Sequence, residues 1–184
     1  MIHQAMRAAL PRNEPARFEV LRRYKILDTP PEREFDEITL LASYICRTPT
    51  ALVTLVDEYR HWFKSSVGWS TEQTDGDLSF CAHAILGSGL CIVRDATEDP
   101  RFADNLLVAA DPKIRFYAGA PLITPDGHSL GTICVIDYVP RTLDARRQYA
   151  LEAVARSLMM QLELRRARYR RDRGHKKPAT RSPR

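Results

Sequence analysis

Apolar residues recur at intervals of three and four near both ends of the chain, and run together or alternate between those stretches. The first periodic stretch is 13–27 (NEPARFEVLRRYKIL), where Phe18, Leu21 and Tyr24 share one face of a short helix. Asp28-Thr29-Pro30-Pro31 ends it, because a residue before proline avoids the helical region. Thr29 with Glu32 three residues on has capping-box spacing, so a second helix is predicted over 31–47. Phe35, Ile38, Leu41, Ala42 and Ile45 line its apolar face.

The period then changes. ALVTLV (51–56) and RHWFKSSV (60–67), separated by a turn at Asp57-Glu58, read as a hairpin. Residues 68–77 are polar and read as loop. FCAHAIL (80–86) reads as a short helix ending at Gly87, and 90–93 as a short strand. Residues 95–108 read as loop with one helical turn. FYAGAPLI (116–123) and LGTICVI (130–136) flank Pro125-Asp126-Gly127 and form a second antiparallel hairpin. Gly119 and Gly131 inside these strands mark bulges or close backbone approaches. A long helix follows, with Thr142 as N-cap and Asp144 in the first turn. Leu151, Val154, Ala155, Leu158 and Leu162 form its stripe, widened by Met159. The order predicts an α+β fold: a central antiparallel sheet of five or six strands with the first and last helices packed on one face.

Composition bounds the function. One domain fits 184 residues that are 44% hydrophobic. No run reaches the ~18 apolar residues of a membrane helix, and residues 1–15 hold no secretory signal, so a cytoplasmic location is expected. The net charge of +5 is uneven: residues 165–184 hold ten Lys or Arg against one Asp. The rest of the chain is therefore net acidic and shows no basic stripe for tracking nucleic acid. The basic end, polar and Pro-containing, reads as a disordered, solvated tail. Cys46, Cys81, Cys91 and Cys134 form no C-x-x-C pair, which argues against a metal site and for reduced thiols. Cys46 and Cys134 are expected to be buried and unreactive, and Cys81 and Cys91 more accessible.

LDTPPEREFDEITLLASYICRTPTALVTLVDEYRHWFKSSVG, SFCAHAI, DATEDPRFADNLLV and IRFYAGAPLITPDGHSLGTICVID, in that order over residues 13–160, resemble a GAF domain. The subtype is the one found ahead of bacterial sensor histidine kinases and diguanylate cyclases. The resemblance implies a pocket under loops on the sheet face away from the terminal helices. Its occupant would be a small molecule such as a cyclic nucleotide, a tetrapyrrole or an amino-acid derivative. Trp62, Phe63, Phe80, Cys81, His83 and Phe102 would supply walls, Asp95, Arg115 and Tyr117 polar contacts, and Thr132 and Cys134 the floor. Plainer roles compete: aromatics sealing loops, Asp95 capping a turn, Arg115 guarding a strand edge, and His83 as a structural histidine.

The expected function is a sensory module, residues 13–164 between a 1–12 extension and a 165–184 tail. It would form a homodimer and work with a signalling partner, with no cofactor, no metal and no catalysis of its own. Residues 165–184 are too few for an output domain. The alternative is a thiol enzyme like the free methionine sulfoxide reductases, which share the fold. Cys81 and Cys91 suit that chemistry, but DPRFADNLLV lacks the attacking cysteine of that family.

Overall fold

The computed structural model describes residues 13–75 and 80–175. Six antiparallel strands form one sheet in the order β3-β2-β1-β6-β5-β4. The central pair is β1 (Thr50–Val56) and β6 (Ser129–Asp137), flanked by β2 (Arg60–Val67) and β5 (Phe116–Ile123). The edges are short, β3 (Gln73–Asp75) and β4 (Cys91–Val93). β3 falls where a loop was predicted, because three polar residues on an edge carry no apolar alternation.

The sheet separates two cores. On one side α1 (Glu14–Arg23), α2 (Arg33–Cys46) and α5 (Ala145–His175) cover Ala51, Val53, Leu55, Trp62, Phe116, Ala118, Ile133 and Val135. On the other, α3 (Phe80–Ala84), α4 (Leu106–Ala109) and the segments around them cover Leu52, Val56, Tyr117, Cys134 and Ile136. Alternate residues of β1 and β6 enter opposite cores, as the two-residue period of a strand requires. Gly131 permits the tight β6–β1 contact: a Cβ there would lie 1.9 Å from the Thr54 carbonyl oxygen.

Three polar ties fix the helices. Arg17 is buried against Glu14 at 2.7 Å and donates to the Val56 carbonyl at 2.7 Å, joining α1 to the end of β1. The Lys64 ammonium on β2, its side chain fully enclosed, meets Glu32 at 2.7 Å, and Arg165 of α5 reaches the same carboxylate at 2.8 Å. Glu32 therefore serves as an ion-pair hub, and Thr29 hydrogen-bonds back to Ile26 instead of capping α2. In the third tie, the hydroxyl of Tyr24, at the C-cap of α1, hydrogen-bonds Glu163 of α5.

Several expectations change. Leu41 is exposed, and Thr39 and Cys46 join Phe35 and Ala42 on the buried face of α2. Asp144, not Thr142, caps α5 by accepting from the Arg147 amide at 2.9 Å. α5 continues through the basic run to His175, where disorder was predicted from residue 165. Arg165 and Arg166 there face Glu32, Tyr24 and Glu163 across the helix layer or one turn back. Residues 176–184 of the predicted tail and the 1–12 extension lie outside the described residues.

Candidate functional site

The second core is closed by an aromatic stack. The Phe80 ring, at the start of α3, lies 4.2 Å from Phe102 and 5.0 Å from Tyr117, nearly parallel to both. His83, one turn on, meets Phe102 edge-on at 4.8 Å. Phe102 arrives on the segment between β4 and α4, so the stack pins that segment and α3 onto β5. Beneath it is a cavity of about 30 Å³ bounded by Leu52, Phe63, Trp69, Phe80, Cys81, Leu107 and Tyr117, with Thr74, Ile114 and Ile136 completing the wall. That is room for one or two waters. Ligand pockets of ~300 Å³ or more would require the stack to open.

Cys81 lies at the centre. Its sulfur accepts from the Thr132 hydroxyl at 3.2 Å and the Tyr117 hydroxyl at 3.5 Å. The neighbouring Cys134 thiol is the largest influence holding Cys81 well below an ordinary thiol; burial opposes this, and His61 adds favourable charge. The same pairing and burial push Cys134 well up. Burial, then the negative charge on Cys81, raises the Tyr117 phenol. Gly119 makes this geometry possible, since a Cβ there would lie 2.1 Å from the Tyr117 oxygen. Cys134, Gly119 and Cys91 occupy one row across β6, β5 and β4. Cys91 is half-buried, its thiol raised by burial and opposed by Arg101, which is itself paired with Asp99 at 2.6 Å.

Eight of the residues singled out in the sequence converge here: Phe63, Phe80, Cys81, His83, Phe102, Tyr117, Thr132 and Cys134. Three do not. Trp62 points into the helix-side core, because its neighbour Phe63 takes the pocket face. Asp95 holds a surface turn by accepting from the Thr97 amide and hydroxyl. Arg115 donates to the carbonyls of Val108 and Ile114 at 3.0 Å, bracing α4. Cys81 is buried, not accessible, since α3 lies flat on the sheet. Trp69, Leu107 and Ile114 were missed. Trp69 and Ile114 are single apolar residues in polar stretches, and Leu107 lies in the short apolar run 106–110, where no period marks the inward side.

Other hollows are open. One of about 430 Å³ lies between α5 and β5. One of about 700 Å³ runs along β2 beside Pro30 and Pro31. A basic notch is formed by Arg23, Lys25, Arg166, Tyr169 and Arg170. Among the described residues no group of three or more His, Cys, Asp or Glu could hold a metal ion. No described helix is long and apolar enough to cross a membrane.

The six-stranded antiparallel sheet, with terminal helices on one face and a small loop-covered cavity on the other, makes this an α+β domain. The GAF domain family model matches residues 30–162, and the chain belongs to that family. The chain is 44% identical over 153 residues to "Cyclic di-GMP phosphodiesterase PA2567" of Pseudomonas aeruginosa, a match covering 83% of this chain and 26% of that protein. It thus spans about a quarter of that relative's length. The expectation of a chain outside enzymes is corrected by this finding, because the relative carries an enzyme's name. Solved structures agree in fold. The blue-light-absorbing form of the Thermosynechococcus elongatus PixJ GAF domain superposes with a TM-score of 0.63 at 14% identity, covering 87% of this chain and 97% of that one. The GAF domain of an Acinetobacter phosphoenolpyruvate-protein phosphotransferase gives 0.61 at 15%, covering 83% and 95%. A type II free methionine-R-sulfoxide reductase from Thermoplasma acidophilum gives 0.58 at 14%, covering 71% and 89%.

Proposed function

We propose that this GAF domain is the sensory segment of a signalling protein in cyclic di-GMP turnover, where it sets the output of a phosphodiesterase. The observation that carries this reading is the 44% identity to the Pseudomonas phosphodiesterase over most of this chain. The domain occupies residues 13–164, and its signal leaves through the basic end of α5, as in GAF domains placed ahead of output enzymes. The signal enters as a small molecule displacing the Phe80–Phe102–Tyr117 stack. The four free cysteines suit a reducing cytoplasm. Two copies pair through the outer side of the helix layer.

The test is a replacement. This chain takes the place of the matching segment in the Pseudomonas protein, and cyclic di-GMP hydrolysis is measured with and without Phe102→Ala. A sensory role predicts hydrolysis that survives the exchange and changes several-fold when the stack is opened. Hydrolysis indifferent to Phe102 would remove the pocket from the signal path.

A further inference from the structure

Cys81 and Cys134 are 53 positions apart in sequence, yet both enter the core between α3 and the sheet at no more than 5% exposure, and Thr132, which hydrogen-bonds the Cys81 sulfur, stands two residues before Cys134 on the same face of β6. Two hydroxyls converge on the Cys81 sulfur, Thr132 at 3.2 Å and Tyr117 at 3.5 Å, with the Cys134 thiol as its neighbour in the same core. A sulfur so surrounded carries negative charge well, and the thiolate is the form that attacks. Cys81 also borders the 30 Å³ cavity, which has room for a molecule little larger than water. A nucleophilic sulfur, a second thiol in the same core and a chamber of that size together suit a small oxidant. Cys46 lies at the end of α2 on the helix side, and burial pushes its thiol up to about 11, so it takes no part.

We propose that Cys81 and Cys134 are a hydroperoxide-responsive dithiol that closes to an internal disulfide beneath the aromatic stack. In the first step the Cys81 thiolate attacks hydrogen peroxide. An S–O bond forms, the O–O bond breaks, and the departing hydroxide takes a proton from solvent to become water. Cys81 sulfur is oxidised by two electrons to the sulfenic acid and the peroxide is reduced. Next the Cys134 sulfur attacks the Cys81 sulfur. The S–S bond forms, the S–O bond breaks, and hydroxide leaves with the Cys134 proton as a second water. Tyr117 and Thr132 are positioning residues, holding the Cys81 sulfur toward both the cavity and Cys134. The disulfide ties α3 to the central strand β6, so oxidation locks Phe80 over the pocket. This goes beyond the sensory reading above and does not depend on it.

The experiment treats the folded protein with hydrogen peroxide, blocks remaining thiols, and maps peptides without reduction. A Cys81–Cys134 linked peptide is expected, reversed by dithiothreitol and retained in Cys91→Ser and Cys46→Ser. Cys134→Ser should instead leave a Cys81 sulfenic acid that dimedone traps. Tyr117→Phe should slow closure about tenfold, the effect of one lost hydrogen bond, with the linked product unchanged. Four free thiols after peroxide, a Cys81–Cys91 link, or sulfinic acid at Cys81 without any link would each overturn the proposal. The wild-type map decides the matter even if a cysteine variant fails to fold. Hydrolysis in the replacement assay has no bearing on it.

Discussion

At Gly119 a single methyl group would meet the Tyr117 oxygen at 2.1 Å and its ring carbon Cζ at 2.6 Å. The ring is fully enclosed and stacked on Phe80, so it has nowhere to retreat. Gly119→Ala should therefore destabilise the fold by about 1–3 kcal/mol, the usual cost of overpacking, read by urea unfolding. Glu32 makes a second prediction at this scale. Burial alone would raise its carboxyl, but hydrogen bonds from Lys64 and Arg165 outweigh that and hold it below the ordinary value of 4.5. A carboxyl lowered on folding stabilises above its unfolded value, and that stability is lost as pH falls through the folded value. Glu32→Gln should cost about 1–3 kcal/mol near neutral pH, since it leaves the enclosed Lys64 ammonium without its anion. The difference from wild type should shrink between neutral pH and an acid pH below the lowered folded value, where the Glu32 carboxyl is neutral like the amide. A gap that stays constant between the two pH values would show that the loss is one of shape, not charge.

At the scale of elements, α5 separates what periodicity can and cannot reveal. Its row Leu151, Val154, Ala155, Leu158 and Leu162 was legible because one stripe faces one sheet, and all five are buried. Met159, which widens that stripe, is only 8% exposed as well; α5 packs against α2 as well as the sheet, so two inward directions exist. Leu158→Ala should cost about 2–5 kcal/mol, whereas Met160→Ala, at 62% exposure, should stay within ~0.5. Thermal unfolding of the two variants distinguishes a buried row from a free one. The site divides along the same line. Phe80, Phe102 and Tyr117 were legible as aromatics near predicted loops, and Thr132 and Cys134 as alternating strand positions. That Cys81 meets Cys134 was not legible, because the contact depends on where the chain between them crosses the sheet. Glu14 and Arg17 were invisible for another reason: a buried ion pair looks like an ordinary solvated helix turn in sequence.

For the molecule as a whole, the outer side of the helix layer is where a second copy would bind. Tyr149, Met160 and Leu164 of α5 are 67%, 62% and 52% exposed, and recur with Ala153 and Arg156 at helical spacing along one side. On α2, Leu40, Leu41 and Tyr44 are 57%, 49% and 81% exposed. Apolar side chains concentrated on one layer mark an interaction surface, and twofold pairing is the commonest way for identical chains to bury one. The 31 residues of α5 span roughly 46 Å, long enough to carry such a contact over its apolar half. Beyond Leu164 the helix bears Arg165, Arg166, Arg168, Arg170 and Arg171, with Asp172 the only acidic residue among the residues that follow. Two such ends brought side by side repel each other, and salt screens that repulsion over ~8 Å at physiological strength. The dimer should therefore tighten as salt rises, the reverse of an interface held by opposite charges. Sedimentation at several protein concentrations and two salt concentrations measures both effects. Met160→Glu with Leu164→Glu should give a folded monomer, and Met159→Glu should unfold the chain because that side chain is already enclosed. A double variant that still sediments as a dimer would remove α5 from the interface, and a wild-type monomer at every concentration would leave the exposed row to a different partner.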